Sequence, residues 1–240
     1  YPHGFGPQGD VIRIDNMVRL VRDASTASTD ASANQTFTGT SGNEVFTGGT
    51  GNDTIDGGGG IDTAVHSGKV TDYTRSKSGS GWTVKANAGT DGTDTLSNVE
   101  RLRFSDGNVA LDTDGVAGQA YRLYRAAFAR EPDSGGVGYW MAQMDKGMSL
   151  STAASNFIAS SEFQTRYGSA PSNGDFLTKL YSNVLGRAPD QGGYDWWLAQ
   201  MNNGLGKTSV LVEFSQSAEN QAAVATLIGA TGFAYTEWLG

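Results

Sequence analysis

Carboxylates set at a fixed interval among glycines are the residues of this chain best suited to chemistry. The stretch GGTGNDTIDGGGGIDTAV, residues 48–65, places Asp53 and Asp62 nine residues apart, and each is followed two places later by an apolar residue, Ile55 or Ala64. Glycine tolerates positive φ, so a G-G-x-G run turns tightly and aims carbonyl oxygens at one point. The aspartate adds charged oxygen. Such a donor set suits calcium, which takes six to eight oxygens at roughly 2.3–2.6 Å. The tripeptide x-U-x that follows, with U apolar, has the alternation of a short strand with U pointing inward.

Written in register, GGTGNDTID (48–56) and GGGGIDTAV (57–65) both fit G-G-x-G-x-D-x-U-x. Backwards, GTSGNEVFT (39–47) carries Glu44 at the aspartate position, and DASANQTFT (30–38) keeps only Asn34 and Phe37. The U positions are Phe37, Phe46, Ile55 and Ala64; forward, HSGKVTDYT (66–74) keeps Tyr73 but loses the glycine run. The pattern resembles the calcium-binding nonapeptide repeat of RTX proteins. That resemblance implies a parallel β-roll with two repeats per coil, so that repeats i and i+2 stack on one edge. Asp62 then lies over Glu44, with the carbonyls of Gly39, Ser41, Gly57 and Gly59 completing a calcium site. Asp53, with the carbonyls of Gly48 and Thr50, falls on the other edge over degenerate repeats, which leaves that site incomplete. Without metal, uncompensated carboxylates and glycine entropy are expected to leave the segment disordered.

Residues 72–112 follow another style. Alternation in WTVKA and VERLRFSD predicts half-buried antiparallel strands, with turns at Gly79–Gly81, Asp91–Gly92 and Asp106–Gly107. This part resembles the cap that commonly closes RTX rolls, through a D-T-L-x-N-V-E-x-L-x-F pattern at 94–104, and is expected to block edge-to-edge pairing. Asp91, Asp94 and Asp106 either hold a further calcium or serve as ordinary turn residues.

The grammar changes near LDTDGVAGQAYRLY, where alanine, leucine, methionine and aromatics take helical spacing. LYRAAFAREPDSGGVGYWMAQMDKG (123–147) recurs as LYSNVLGRAPDQGGYDWWLAQMNNG (180–204), and the offset continues through Phe157/Phe214, Ser160/Ser217 and Glu162/Glu219. Each unit reads as helix, R-x-P-D-x-x-G-G turn, helix, glycine stop, then a third and fourth helix. Ala120, Leu123, Tyr124, Ala127 and Phe128 share one apolar face. Proline ends the first helix, Asp133 and Asp190 are placed to cap the next, and Ser149 or Ser151 the third. Arg130 and Arg187, three residues before those aspartates, can pair with them or with free carbonyls. The unit resembles a helical domain of unknown function often found beside RTX repeats in secreted bacterial proteins. It is distantly similar to phycobilisome linker domains, through AREPDSGGVGYW and GRAPDQGGYDWW. Together the two resemblances cover about 35–235 and imply type I export with an uncleaved C-terminal signal. Trp140, Trp196, Trp197 and Tyr139 either line a sugar or peptide cleft or pack in the core.

Other features mainly exclude. The 240 residues carry a formal charge of −8 with no clustered Lys and Arg, which argues against nucleic-acid binding. No cysteine is present, so disulfides, thiolate metal sites and cysteine catalysis are ruled out. No apolar run approaches the roughly 20 residues of a membrane helix. The two histidines, His3 and His66, lie in no catalytic motif, and neither H-E-x-x-H nor G-x-S-x-G occurs. GFGPQG (4–9) lacks a preceding strand, and DTDG (112–115) lacks the later glutamate of a calcium loop and reads as a turn. DVIRIDNMVRLVRD (10–23) fits a strand or an amphipathic helix. A chain that opens on Tyr1 is expected to be a fragment or processed product.

The expectation is an α+β chain. It has an N-terminal arm (1–29), a calcium roll with its β cap (30–115), and a duplicated helical domain (116–240, units near 117–172 and 173–230). The function expected is a non-enzymatic, secreted or cell-surface structural or adhesive protein of a bacterium, loaded with Ca2+. It would self-associate into a layer or filament, or join other surface components. The rival expectation is the secretion and glycan-anchoring module of a larger secreted enzyme.

Overall fold

The computed structural model of the protein describes residues 33–238. The arm expected at 1–29, with His3, GFGPQG and the 10–23 segment, lies outside the described residues.

The nonapeptide period produces four three-residue strands, β1 (Thr36–Thr38), β2 (Val45–Thr47), β3 (Thr54–Asp56) and β4 (Thr63–Val65), each with its central residue buried. β1 pairs in parallel with β3, placing Phe37 beside Ile55, and β2 pairs in parallel with β4, placing Phe46 beside Ala64. Repeats i and i+2 therefore stack, as the resemblance implied. A hairpin of β5 (Tyr73–Ser78) and β6 (Gly81–Ala86) follows, then β7 (Thr93–Ser97), β8 (Arg101–Phe104) and β9 (Gly107–Ala110).

The cap strands pair antiparallel with one another as expected, and two of them also join the roll in parallel. β7 is antiparallel to β6 but parallel to β3, with Leu96 beside Ile55. β8 is antiparallel to β9 but parallel to β4, with Leu102 beside Ala64. The roll thus continues for one more coil before the antiparallel strands close it. Its interior is the two facing rows Phe37, Ile55, Leu96 and Phe46, Ala64, Leu102, closed by Tyr73, Trp82, Val84, Phe104 and Val109. Each fully buried side chain of this size contributes ~1.5–3 kcal/mol.

The second half forms eight helices: α1 (Val116–Phe128), α2 (Ser134–Asp145), α3 (Leu150–Ala159), α4 (Ser161–Tyr167), α5 (Asn173–Leu185), α6 (Gln191–Asn202), α7 (Lys207–Ser215) and α8 (Ala218–Ile228). α5 to α8 begin 57 residues after α1 to α4, so the sequence duplication is a structural one. Asp133 and Asp190 cap α2 and α6 by accepting from Gly136 N and Gly193 N. Ser149 caps α3, and Ser160 and Ser217 cap α4 and α8. Arg130 and Arg187 do reach Asp133 and Asp190, but their closer partners are Glu162 and Glu219, each at 2.8 Å from Nε.

The copies differ in burial. On α1 the buried set extends round the helix to Gly118, Tyr121 and Arg122, whereas α5 buries only Phe176, Leu177, Leu180 and Tyr181. α1 packs on α2, α3, α4, α5, α7 and α8, so it is the axis of the helical half. Asp112 caps it from outside by accepting from Ala117 N at 2.9 Å, and DTDG is a turn.

Among the described residues several contacts join the halves. The last strand, β10 (Phe233–Tyr235), returns to pair antiparallel with β9, so part of 116–240 belongs to the roll's sheet. Ala110 and Phe233 pack with Tyr121, Val137, Met141 and Ile228 in one apolar cluster. Arg101 on β8, only 3% exposed, pairs with Asp112 before α1 and with Asp145 at the end of α2.

Candidate metal centre

The stacked strands bring the turn carboxylates into two columns. On one edge Asp62 follows Glu44: the Glu44 N–H donates to Asp62 Oδ1 at 2.7 Å. The same relation continues upward, where the Asp62 N–H donates to Glu100 Oε2 at 2.8 Å. On the other edge the Gln35 N–H donates to Asp53 Oδ1 at 2.8 Å, and the Asp53 N–H donates to Asp94 Oδ1 at 2.9 Å. Asp53 and Asp62 are therefore each clamped between two coils.

Glu44, Asp53, Asp62 and Asp94 are buried, and among the described residues no lysine or arginine side chain pairs with them. Asp62 is 0% and Asp53 1% exposed, and the Oδ2 atom of each has no hydrogen-bond partner among the described residues. Burial pushes the Asp62 carboxyl up to about 6, with Glu100 and Glu44 adding like-charge repulsion, and raises Asp53 as well. Glu44 goes the other way. The Thr40 hydroxyl and backbone N–H bond its carboxylate and hold it below the usual range.

The glycines allow this crowding. A Cβ on Gly48 would stand 2.0 Å from Asp53 Oδ2, and one on Gly57 2.6 Å from Asp62 Oδ2. The first residue of each intact repeat must lack a side chain because its own aspartate folds under it. Among the described residues no three His, Asp or Glu side chains gather into a metal cluster. The carboxylates stack instead along the edges, Glu44, Asp62 and Glu100 on one and Asp53 and Asp94 on the other, beside glycine-lined turns. Orphaned anionic oxygens, glycine-lined turns and all-oxygen donors fit calcium.

The three cap aspartates are not brought together. Asp94 is buried in the column of Asp53, and burial pushes it up to about 7. Asp91 accepts from Ser67 Oγ at 3.0 Å and from the Tyr73 hydroxyl. Asp106 accepts from Val70 N at 2.8 Å and fixes the β8–β9 turn. His66 lies beside Asp94, Nδ1 to Oδ2 3.5 Å, stacked on Phe104, and its burial lowers it to about 4, so it is neutral at pH 7. Sequence reasoning missed Glu100. Its signal was E-x-L at 100–102, the D-x-U phrase of the repeats with glutamate for aspartate.

The four aromatic residues Tyr139, Trp140, Trp196 and Trp197 form two separate pairs, one in each helical unit. Trp140 packs edge-on against Phe157 and meets Tyr139, while Trp197 packs on Phe214 and meets Trp196. Trp196 and Trp238 are the exposed ones, at 56% and 46%.

Comparison with known families agrees with this geometry. A family model for the RTX calcium-binding nonapeptide repeat (4 copies) matches residues 32–64. A second, for a domain of unknown function (DUF4214), matches residues 154–224, which run from within α3 to α8. The chain thus carries RTX calcium-binding repeats, of a type found in secreted bacterial proteins, followed by a helical domain of that family. No curated protein matches the chain. Among the described residues no helix is long and apolar enough to cross a membrane.

Proposed function

We propose that this chain is a non-enzymatic, calcium-dependent structural or adhesive module that works outside the bacterial cell. The observation that carries the reading is the pair of buried carboxylate columns with orphaned Asp53 and Asp62 oxygens. Glu44 and Asp62, with the carbonyls of Gly39, Ser41, Gly57 and Gly59, would hold one ion; Asp53 with the carbonyls of Gly48 and Thr50 would contribute to another. Calcium supplies the positive charge that lets these carboxylates stay ionised inside the roll, which couples folding to the calcium outside the cell. Self-association is the partner reading. Among the described residues β1 and β2 lie at the ends of their sheets, and such edges accept further strands. Titration with calcium, followed by circular dichroism and light scattering, tests it. Strand signal and ordered polymers should rise together; strand gain with a strictly monomeric species would remove the assembly part.

The exposed Trp196 and Trp238 favour the second reading, a glycan-anchoring module of a larger secreted enzyme. Trp238 borders an open groove of about 580 Å³ with Arg103, Met141, Lys146 and Tyr235. Glycan-array binding lost in Trp196→Ala or Trp238→Ala supports that reading, and silence across the array counts against it.

A further inference from the structure

We infer that Asp94 and Glu100, which lie outside the tandem repeats, are calcium ligands that pair with Asp53 and Asp62 to form one further cation site on each edge of the roll. The inference rests on the calcium reading above and extends it to residues of the cap.

Strand register is the first argument. Asp53 is two residues before Ile55, and Asp94 two before Leu96, its partner in β7. Asp62 is two before Ala64, and Glu100 two before Leu102, its partner in β8. The backbone relation that joins Glu44 to Asp62 inside the repeats is repeated from Asp62 to Glu100 and from Asp53 to Asp94.

The turns repeat as well. Asn52 Oδ1 accepts from Thr93 N at 2.7 Å, as Asn34 Oδ1 accepts from Asn52 N at 2.8 Å one coil earlier. Gly92 has positive φ like Gly51, and a Cβ on it would meet Gly51 O at 2.1 Å, as one on Gly60 would meet Gly42 O at 2.1 Å. GTDGTDTLS (89–97) thus places Gly89, Gly92, Asp94 and Leu96 at the first, fourth, sixth and eighth positions of a nonapeptide. On the other edge the turn is shorter, and Asn98, at φ 50°, takes the left-handed conformation there. The Asn98 carbonyl stands 2.0 Å from a Cβ placed on Gly57, as the Gly57 carbonyl stands 1.9 Å from one placed on Gly39. Residues 66–88, which contain the hairpin, are an insertion that separates this last coil from the tandem run.

Charge is the independent argument. Asp94 is 5% exposed, and its column contains Asp53 with an unpartnered Oδ2. Asp62 lies between Glu44 and Glu100, and among the described residues its Oδ2, like that of Asp53, has no hydrogen-bond partner. Arg101, next to Glu100 in the chain, directs its guanidinium to Asp112 and Asp145 instead. Asp53, Asp62 and Asp94, stacked and buried with no lysine or arginine paired to them among the described residues, require a bound cation or protons. Calcium's tolerance of irregular oxygen sets accommodates the shortened turn at 98–99.

Native mass spectrometry in millimolar calcium, with circular dichroism on the same samples, tests this. Asp94→Asn and Glu100→Gln should each bind one calcium fewer than the unaltered chain, with strand content retained. Asp106→Asn, in the β8–β9 turn, should bind the unaltered number. If either ligand variant does not fold, Asp94→Glu and Glu100→Asp decide by affinity. A weakening of about tenfold or more agrees with ligation, and unchanged affinity overturns it. Undiminished calcium number in folded Asp94→Asn and Glu100→Gln overturns the inference alone. An unaltered chain that binds no calcium overturns the calcium reading beneath it.

Discussion

Asp62 condenses the residue-scale argument. It is completely buried, accepts a backbone N–H through Oδ1, and leaves Oδ2 without a hydrogen-bond partner among the described residues. Burial raises its carboxyl to about 6 and that of Asp94 to about 7, against an ordinary value of 3.8. Between about pH 4 and 7 these two carboxyls hold more protons in the calcium-free folded chain than in the unfolded chain, so their contribution to stability falls as pH rises through that window, while His66, lowered to about 4 by burial, acts in the opposite direction. Calcium binds the ionised form and competes with those protons. Calcium affinity measured by calorimetry should accordingly drop about tenfold or more from pH 7.5 to pH 5. Affinity independent of pH would show that these carboxylates are not the ligands. Gly57→Ala tests the crowding: its Cβ would stand 2.0 Å from Asn98 O as well as against Asp62. A clear loss of thermal stability in saturating calcium is expected.

At the scale of elements, the two periods decided what could be read beforehand. A nine-residue repeat fixes inward residues and turn composition locally, so β1 to β4 and the stacking of Asp62 on Glu44 were legible. The 57-residue duplication was legible for the same reason, down to the aspartate caps. Those caps should each be worth ~1 kcal/mol, so Asp133→Ala and Asp190→Ala should lower the helical melting transition modestly. Asp133→Ala should cost more, because Asp133 also accepts from the Tyr124 hydroxyl at 2.7 Å. What was not legible depends on distant pairing. The parallel register of β7 and β8 follows from strands that residues 66–88 separate from the tandem repeats, and alternation alone is silent on direction. Glu162 and Glu219 were visible as matching positions, but their ion pairs with Arg130 and Arg187 depend on how α4 and α8 fold back.

For the whole molecule, the roll and the helices share structure and should share stability. β10 completes the sheet of β9, and Arg101 ties β8 to both Asp112 and Asp145. Removing one partner from a buried ion network costs ~3–5 kcal/mol, because the remaining charges are left uncompensated. Arg101→Met should therefore destabilise the chain by about that amount, read by urea denaturation. It should also split a shared melting transition into separate roll and helix steps. A loss of less than ~1 kcal/mol with the single transition intact would mean that Arg101 does not couple the halves. The three exposed signals at this scale, Trp196, Trp238 and the β1–β2 edge, bear on partners rather than on folding.

The central claim is that calcium loads the carboxylate columns of the roll. Hydrogen–deuterium exchange of the intact chain in calcium and in chelator measures it most directly. The expected result is strong protection by calcium across 39–65 and 89–104, with far smaller changes in α5 to α8. Exchange in those two segments that is identical with and without calcium would contradict the account.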